Sequence, residues 1–303
     1  MAKSRREIPC PSCTYVGARH GRVIHGYDIY ICEECGLAFT YPRPSEEAVA
    51  EFYHSLALGE DLYGGQSPTK RAFFELCHRE IERYLKSGKV LDFGCGDCCF
   101  LNEGDSSMFS LYGADLHPGI EKISHKNRIQ FLIGNTLNAD IYENYFDVIF
   151  TSATYEHFIE PVSMTDKFIK LLKPGGIIFI VSVPSYNSFN IKLHVEDWLI
   201  NRPPAHINFF TIRSLTKHLV NAGFIIEKSW TYGFNLEPVK RRLKGLSAET
   251  SLKSLVESGA TAKSGSVKPV GLLHKIVATI YFHFPYLGMG DKLAFVARKP
   301  EAR

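Results

Sequence analysis

A short acidic turn that carries two glycines constrains the fold of this chain more than any other feature. The apolar run Val90–Phe93 contains Asp92 and leads directly into Gly94 and Gly96. Glycines at such a turn take positive φ and let the backbone approach a ligand closely. A second acidic residue, Asp115, ends the next apolar run about 20 residues later, the spacing of a βαβ unit that sets a carboxylate against ribose hydroxyls. The sequence therefore predicts a cofactor that contains adenosine.

Beyond residue 89, apolar runs alternate with helical patterns. The runs are continuously apolar, which is typical of strands in a sheet that is covered on both faces. We therefore predict an α/β fold, with helices beginning near Ser45, Pro68, Val162 and Ile212. The predicted strands are Val90–Phe93, Ser110–Ala114, Ile129–Ile133, Phe146–Thr151, Ile177–Val183, Phe224–Trp230 and Lys292–Arg298.

Four cysteines near the N-terminus form the second strong pattern. Cys10 and Cys13 make one Cys-x2-Cys pair, and Cys32 and Cys35 make another after eighteen residues. Two such turns can point four thiolates at one ion and complete a tetrahedron around Zn²⁺. A closed four-thiolate shell leaves no place for water, so we predict a structural zinc. The segment that holds it is too small to fold around an apolar core alone.

The chain divides into three predicted parts. With 303 residues, 45% of them apolar and 22% charged, its composition is that of an ordinary globular protein. We predict a zinc ribbon over 1–44, a helical linker or lid over 45–88, and the α/β domain over 89–303, with an insertion at 235–290 before the last strand. No apolar run reaches the roughly 18 residues of a spanning helix, and no apolar segment of a secretory signal follows the basic N-terminus. We therefore expect a cytoplasmic protein.

The form Asp92-x-Gly94-x-Gly96 resembles the first motif of class I S-adenosylmethionine-dependent methyltransferases. A nicotinamide-binding fingerprint would instead need a glycine where Cys99 stands. Five later segments resemble further motifs of the family in the same order, and the resemblance extends over about 89–230 and the final strand. It implies a Rossmann-like seven-stranded sheet whose last strand runs antiparallel. The five segments are Gly113–Asp115, Ile133–Asn135, Phe146–His157, Leu171–Ile180 and His206–Phe224.

The same resemblance implies roles for single residues in binding S-adenosylmethionine. Asp92 and the turn of Gly94, Cys95 and Gly96 would face the methionine end of the cofactor. Asp115 would hold the ribose hydroxyls. The remaining predicted contacts, two of them with the adenine, are Leu116 against its face, Asn135 at its edge, Thr136 and Thr151.

Two positions depart from the family pattern. Asn135 stands where the family usually carries aspartate, a tolerable change because an amide offers both a donor and an acceptor. Cys98 stands where the family usually has a third glycine. It places a side chain close to the path of the cofactor, so a weakened cofactor site is one hypothesis.

Methyl transfer from a sulfonium has an excellent leaving group, so catalysis consists mainly of alignment and exclusion of water. A base is still needed when the acceptor is a hydroxyl or an acidified C–H. We predict His206 as that base, because it matches the histidine expected to serve as base in sugar C-methyltransferases. Pro203 replaces the tyrosine that those enzymes place three residues earlier. Glu156 and His157, after the fourth core strand, are further candidates for substrate contact, although a packed, hydrogen-bonded His157 is the alternative.

Ribbon and core together resemble methyltransferases of sugar and polysaccharide biosynthesis. We therefore predict a sugar, nucleotide-sugar or glycan intermediate as the acceptor. Some RNA base methyltransferases also join a ribbon to this core, but a net charge of +3 argues against nucleic acid. A scaffold protein with a degenerate cofactor pocket is the third hypothesis.

The predicted insertion carries two features that suggest a further partner. A basic cluster occupies 240–244, and an apolar segment with aromatic residues occupies 270–290. Together they could place the protein on a membrane that carries a lipid-linked glycan. A solvated helix face and a packed flap over the pocket are the alternatives.

Overall fold

The computed structural model describes residues 5–24, 26–55, 67–115, 128–133, 142–192, 203–235, 270–284 and 287–301. Twelve strands lie in these ranges. In chain order they are β1 Arg5–Pro9, β2 Val16–Ile24, β3 Tyr27–Cys32, β4 Ala38–Thr40, β5 Gly88–Phe93, β6 Phe109–Asp115, β7 Ile129–Ile133, β8 Phe146–Ser152, β9 Leu172–Pro184, β10 Asn208–Phe209, β11 Ile225–Tyr232 and β12 Lys292–Arg298.

The same ranges contain seven α-helices and one 3-10 turn, Tyr155–His157. The helices are α1 Glu46–Ser55, α2 Pro68–Ile81, α3 Cys99–Glu103, α4 Pro161–Leu171, α5 Phe189–Lys192, α6 Ile212–Asn221 and α7 Leu272–His283. Side-chain caps explain two of the starts: Lys70 N donates to Ser67 Oγ before α2, and Thr211 and Ser214 form a capping box before α6. None of these helices is long and apolar enough to cross a membrane.

Seven strands form the large sheet, in the order β11-β12-β9-β8-β5-β6-β7. All neighbours from β9 to β7 are parallel, whereas β12 runs antiparallel to both β9 and β11. The predicted α/β class, the Rossmann-like sheet and its antiparallel last strand are therefore confirmed. The strand β9 begins five residues before the predicted Ile177, because Leu172 already pairs with Phe146 and Lys299 N donates to Gly176 O.

Alternate residues of the large sheet face two separate apolar layers. Residues such as Val148 and Phe150 pack with α2, α3 and α7, whereas Ile149 faces the layer that holds α4 and α6. Phe168 of α4 and Leu215 of α6 are completely buried. Burying side chains of this size contributes about 1.5–3 kcal/mol each to folding. The strands read as continuously apolar because both faces are covered.

The small sheet joins the cysteine-rich segment to the rest of the chain. Its order is β1-β2-β3-β4-β10. The last strand comes from beyond β9: β10 pairs antiparallel with β4, with Asn208 opposite Phe39 and Phe209 opposite Ala38. The small sheet packs on the layer of α4 and α6, since Tyr30 and Phe39 belong to the same apolar cluster as Phe168. The predicted ribbon segment thus shares its sheet with the stretch that follows His206.

Candidate functional site

The acidic turn after β5 has the predicted backbone geometry. Gly94 and Gly96 take φ of 77° and 50°, in the left-handed region that favours glycine. A Cβ on Gly94 would lie 2.9 Å from Thr154 Oγ1. Gly94 N donates to the Ala114 carbonyl (2.8 Å), and Gly96 N donates to Asp115 Oδ2 (3.0 Å). The turn and the end of β6 therefore form one cradle, with the Asp115 carboxylate beside it.

The cradle contains a buried carboxyl group, that of Asp92. Its side chain is 3% exposed. Burial raises the pKa of the Asp92 carboxyl well above its usual range, and the nearby acidic groups of Cys98 and Asp115 raise it further. A cation beside this carboxyl would favour its ionised form. The residues of the cradle therefore fit a ligand with a positively charged end, as S-adenosylmethionine has at its methionine moiety.

Cys98 occupies a backbone conformation that suits the glycine of the family pattern. Its φ and ψ are 57° and 18°, and holding a residue other than glycine in this region costs about 1–2 kcal/mol. The side chain is fully buried in the apolar cluster that contains Cys95 and Phe100. Because the side chain is buried, it does not protrude from the turn into the path of the cofactor. Replacement of the family's glycine by Cys98 therefore strains the backbone and does not block the site.

An ion pair connects the end of the turn to α2. No sequence pattern predicted it. Lys70 Nζ of α2 lies 2.6 Å from Asp97 Oδ2, and Cys99 N donates to Asp97 Oδ1 (3.2 Å). Asp97 thereby satisfies an amide at the start of α3. The only sequence feature that could have indicated Asp97 is its position just before a helix. Nothing in the sequence indicates Lys70 as its partner.

The remaining predicted residues are described only in part. Leu116, Asn135, Thr136 and the basic cluster 240–244 lie outside the described residues, so their roles remain predictions. Thr151 lies at the end of β8 and is 1% exposed. Its Oγ1 has no hydrogen-bond partner within the described part of the chain.

The three predicted catalytic residues come together beside β8. Glu156 and His157 lie in the 3-10 turn after this strand, and His206 lies two residues before β10. One ligand-type atom from each side chain lies within 4.8 Å of the other two. The rings of His157 and His206 meet edge to face, with their centroids 4.8 Å apart. Because β8 is the neighbour of β5, this cluster lies one strand away from the Asp92 turn.

Burial determines the charge of this cluster. Glu156 is 1% exposed, and burial raises its pKa to about 8, against the attraction of Lys292. Its Oε2 has no hydrogen-bond partner in the described ranges. Burial lowers the pKa of His157 to about 4, although carbonyl oxygens of Ala205 and Ala153 oppose the shift.

His157 Nδ1 lies 2.9 Å from the Ala205 carbonyl. This contact with a main-chain carbonyl favours the packed, hydrogen-bonded alternative for His157 over direct contact with substrate. Near pH 7 the cluster therefore offers a protonated carboxyl at Glu156 and a neutral imidazole at His157.

The four N-terminal cysteines also come together. The Sγ atoms of Cys10 and Cys35 are 3.7 Å apart, as are those of Cys13 and Cys32. Sulfurs at the corners of a tetrahedron with Zn–S bonds of about 2.3 Å would be about 3.8 Å apart. Cys35 N and Leu37 N point at sulfur atoms of the cluster.

The thiols of Cys10, Cys32 and Cys35 influence one another's ionisation. Hydrogen bonds with Cys10 and Cys35 lower the pKa of the Cys32 thiol, whereas hydrogen bonds and burial raise that of Cys10. Thiolates so close together repel one another unless a cation lies between them. The donor set and its spacing therefore fit a structural zinc ion.

The seven-stranded sheet and the acidic cradle at the carboxyl end of β5 define the fold of class I S-adenosylmethionine-dependent methyltransferases. The chain belongs to the methyltransferase domain family, whose match covers residues 69–229. This match includes the cradle, the turn with Glu156 and His157, and His206.

Relatives of several methyltransferase types are similar to parts of the chain. Phosphoethanolamine N-methyltransferase 1 of Triticum aestivum is 34% identical over 129 residues, which are 38% of this chain and 25% of that protein. The chain thus matches only a quarter of the length of this relative. The ubiquinone biosynthesis O-methyltransferase of Psychrobacter arcticus is 27% identical over 180 residues, or 54% of this chain and 68% of that protein.

A solved structure shares the fold. A protein from Galdieria sulphuraria assigned as a sarcosine dimethylglycine methyltransferase superposes with a TM-score of 0.51 and 16% identity, covering 84% of this chain and 98% of that one. At this identity the likeness concerns the fold alone.

Proposed function

We propose that this protein transfers a methyl group from S-adenosylmethionine to a hydroxyl of a small sugar, nucleotide-sugar or glycan intermediate. The observation that carries this proposal is the meeting of His206, Glu156 and His157 one strand away from the Asp92 cradle. An acceptor bound at this cluster would lie beside the methyl donor. The ubiquinone biosynthesis O-methyltransferase, matched over 68% of its length, supports oxygen as the methylated atom.

Each group of residues has a separate task in this proposal. When bound, the cofactor supplies an electrophilic methyl group on a sulfonium. Asp92 and the Gly94–Gly96 turn hold the methionine end, and Asp115 accepts hydrogen bonds from the ribose. His206 takes the proton of the acceptor hydroxyl, and Glu156, protonated at neutral pH, donates a hydrogen bond to the acceptor.

Buried oxygens without protein partners support an acceptor rich in hydroxyl groups. Within the described residues, such oxygens lie at the end of β8, in the turn after it and in the segment after β9. Buried polar atoms are almost always hydrogen-bonded, so these four point to bound water or ligand hydroxyls. They are Thr151 Oγ1, Glu156 Oε2, Ser185 Oγ and Asn190 Oδ1. The resemblance of ribbon plus core to methyltransferases of sugar and polysaccharide biosynthesis supports the same class.

Transfer of a labelled methyl group to a panel of nucleotide sugars, glycan fragments and RNA tests the proposal. We expect label on a hydroxyl of a sugar-containing acceptor. Label on RNA would identify an RNA base methyltransferase instead. Calorimetry that finds no binding of S-adenosylmethionine or S-adenosylhomocysteine to folded, metal-loaded protein would leave only a scaffold role.

The variant His206→Ala tests the base. We expect kcat to fall by a factor of about 10²–10⁴, the usual contribution of a positioned base, with the affinity for S-adenosylmethionine unchanged. His274→Ala on α7 is the matched control and should keep full activity. Full activity of His206→Ala would exclude this residue as the base.

We also propose that α7 contacts a membrane surface. Leu272 and Leu273 are 76% and 70% exposed, and Ile276, Val277 and Ile280 of the same helix are exposed as well. An amphipathic helix with such a face can lie in the lipid interface. A membrane location would suit an acceptor glycan that is carried on a lipid.

A further inference from the structure

We infer that the cysteine-rich ribbon is a structural part of the acceptor site, and that Arg43 is the positioning residue that connects them. The inference rests on the proposed function only in one respect: that Glu156, His157 and His206 bind the acceptor. It concerns how two chain segments, the turn 154–160 and the strand entry 205–209, are held in place. Both segments carry residues of the proposed acceptor site, and both are bound by the ribbon.

Arg43 follows the last strand of the ribbon and reaches both segments at once. Its Nη1 donates to Ile207 O (3.0 Å) and Asn208 Oδ1 (2.9 Å). Its Nη2 donates to the carbonyls of Phe158 (2.8 Å) and Ile159 (2.7 Å). One planar guanidinium thus holds the residue after His206 and the residue after His157. Burial lowers its pKa to about 10, so it stays charged at neutral pH.

The ribbon sheet reinforces the same connection. Thr40 N of β4 donates to Ile207 O (3.1 Å), and Ile207 N donates to Glu156 O (2.9 Å). Asn208, which pairs with Phe39 of the ribbon, donates from Nδ2 to the carbonyls of Tyr155 (3.2 Å) and Phe158 (2.7 Å). The main chain of the turn is therefore bonded to β10, and β10 is bonded to the ribbon.

A second route starts between two cysteines of the four-thiol cluster. Ser12, which lies between Cys10 and Cys13, has its Oγ 3.0 Å from His218 Nδ1. His218 Nε2 lies 2.7 Å from Thr165 Oγ1, and this hydroxyl lies 3.3 Å from Tyr155 OH. All four side chains are buried. The chain of hydrogen bonds runs from the first cysteine turn to the residue directly before Glu156.

The cofactor cradle borders the turn at Thr154, which lies next to Gly94, but a different set of hydrogen bonds holds it. Its turn is bonded to β6 and to α2, and Cys95 and Cys98 pack in the apolar layer of α2, α3 and α7. The ribbon packs on the opposite layer. A change in the ribbon should therefore loosen the acceptor site and leave the cradle intact. Loss of cofactor binding would not be the consequence.

Arginine is required at position 43 by geometry. A lysine ammonium is a point charge with three donors and cannot hold four oxygens in a planar fork. No sequence pattern marks Arg43, because its partners are mostly main-chain carbonyls that carry no side-chain signature. Two flanking prolines, Pro42 and Pro44, were the only unusual feature near it.

Hydrogen exchange of single amides tests the inference without any acceptor. The reporters are the amides of His157 and Ile207, which donate to Thr154 O and Glu156 O, and the control amide is Gly94 in the cradle. In metal-loaded Arg43→Lys we expect exchange at both reporters to rise about tenfold or more through local opening. Exchange at Gly94 and affinity for S-adenosylmethionine should not change. Removal of the metal from the natural protein with a chelator should have the same local effect.

Arg213→Lys is the matched control. Arg213 Nη2 also bridges to the ribbon, at Glu34 O (3.0 Å), but within the described ranges it makes no hydrogen bond to either segment of the site. It should leave the reporters protected. Unchanged exchange at His157 and Ile207 in Arg43→Lys, or in the metal-free protein, would overturn the inference, and so would an equal rise at Gly94. Failure of methyl transfer would remove the proposed function and leave this result standing.

Discussion

Glu156 illustrates, at the scale of a single residue, how burial changes what a carboxyl group can do. The residue is 1% exposed in the turn after β8, and desolvation raises its pKa to about 8 despite the nearby Lys292. At neutral pH most of it is protonated and able to donate a hydrogen bond. An exposed carboxylate could only accept one.

Stability should therefore depend on pH through Glu156. The pKa of this carboxyl is about 8 in the folded state and near 4.5 in the unfolded state. Its contribution to the free energy of unfolding is therefore complete below pH 4.5 and is lost as the pH rises towards about 8. Glu156→Gln stays neutral, so its stability relative to the natural protein should rise between pH 5 and pH 8.5, by about 4 kcal/mol at most.

Urea unfolding at several pH values measures this difference. His157 and His218, whose pKa values burial lowers to about 4, contribute to both proteins and cancel in the comparison. A difference that stays constant across this range would show that Glu156 is ionised in the folded protein.

The predictability of the site also varies from residue to residue. His206, Glu156 and His157 were found because motifs place them after particular strands. That they lie within 4.8 Å of one another was not predictable, because His206 is brought to the turn by the entry to β10, where Ile207 N donates to Glu156 O. Arg43 and Lys70 left no pattern, because their partners lie far away in the sequence and, for Arg43, are mostly main-chain carbonyls.

At the scale of elements, the end of β6 and the turn after β5 act as one unit. Asp115 ends β6, and its carboxylate already accepts a hydrogen bond from Gly96 N. This hydrogen bond to Oδ2 fixes the orientation of the whole carboxylate, including its other oxygen, Oδ1. An acid held in this way is positioned for a pair of ribose hydroxyls before any ligand arrives.

Asp115→Ala should weaken the binding of S-adenosylmethionine by a factor of about 10–100, the effect of losing a charged hydrogen bond of about 1.5–3 kcal/mol. Isothermal titration calorimetry provides the measurement. Asp105→Ala, at an exposed residue in the loop between α3 and β6, is the control and should bind normally. Equal affinity in Asp115→Ala would remove this residue from the cofactor site.

The helix α7 has an apolar outer face as well as a buried one. Phe282 and Ala278 pack inward, whereas Leu272 and Leu273 remain largely exposed. If the outer face meets lipid, Leu273→Glu should reduce sedimentation with phosphatidylglycerol vesicles severalfold, because burying a charge in the apolar interface is unfavourable. Val220→Glu, an equally apolar surface position on α6, is the control. Unchanged sedimentation of Leu273→Glu would argue for a packed role of α7.

At the scale of the whole molecule, the large sheet was more predictable than the connection between the two sheets. The bounds of β7 and β12 match the predicted strands. Short apolar runs of this kind are typical of strands in a sheet that is covered on both faces. The pairing of β4 with β10 was not predicted. A two-residue strand has no periodicity, and its register is set by contacts from a distant part of the chain.

The metal proposal makes a prediction at this scale. Cys35→Ser should lose the zinc, which elemental analysis would otherwise find at one ion per chain, and should lower the melting temperature because small metal-bound segments unfold without their ion. Cys77→Ala removes a buried thiol that lies outside the cluster and should keep the zinc. A Cys35→Ser protein that kept both its zinc and its melting temperature would contradict the ribbon.

The pairing of β4 with β10 also bears on the order in which the protein is made. Thr40 and its partner Ile207 are 167 positions apart, so a ribosome must complete β9 before the N-terminal sheet can receive its final strand. Until then β4 presents an open edge, the kind of surface on which nascent chains stick to one another. Fragments truncated before residue 208 should therefore be poorly soluble even when supplied with zinc.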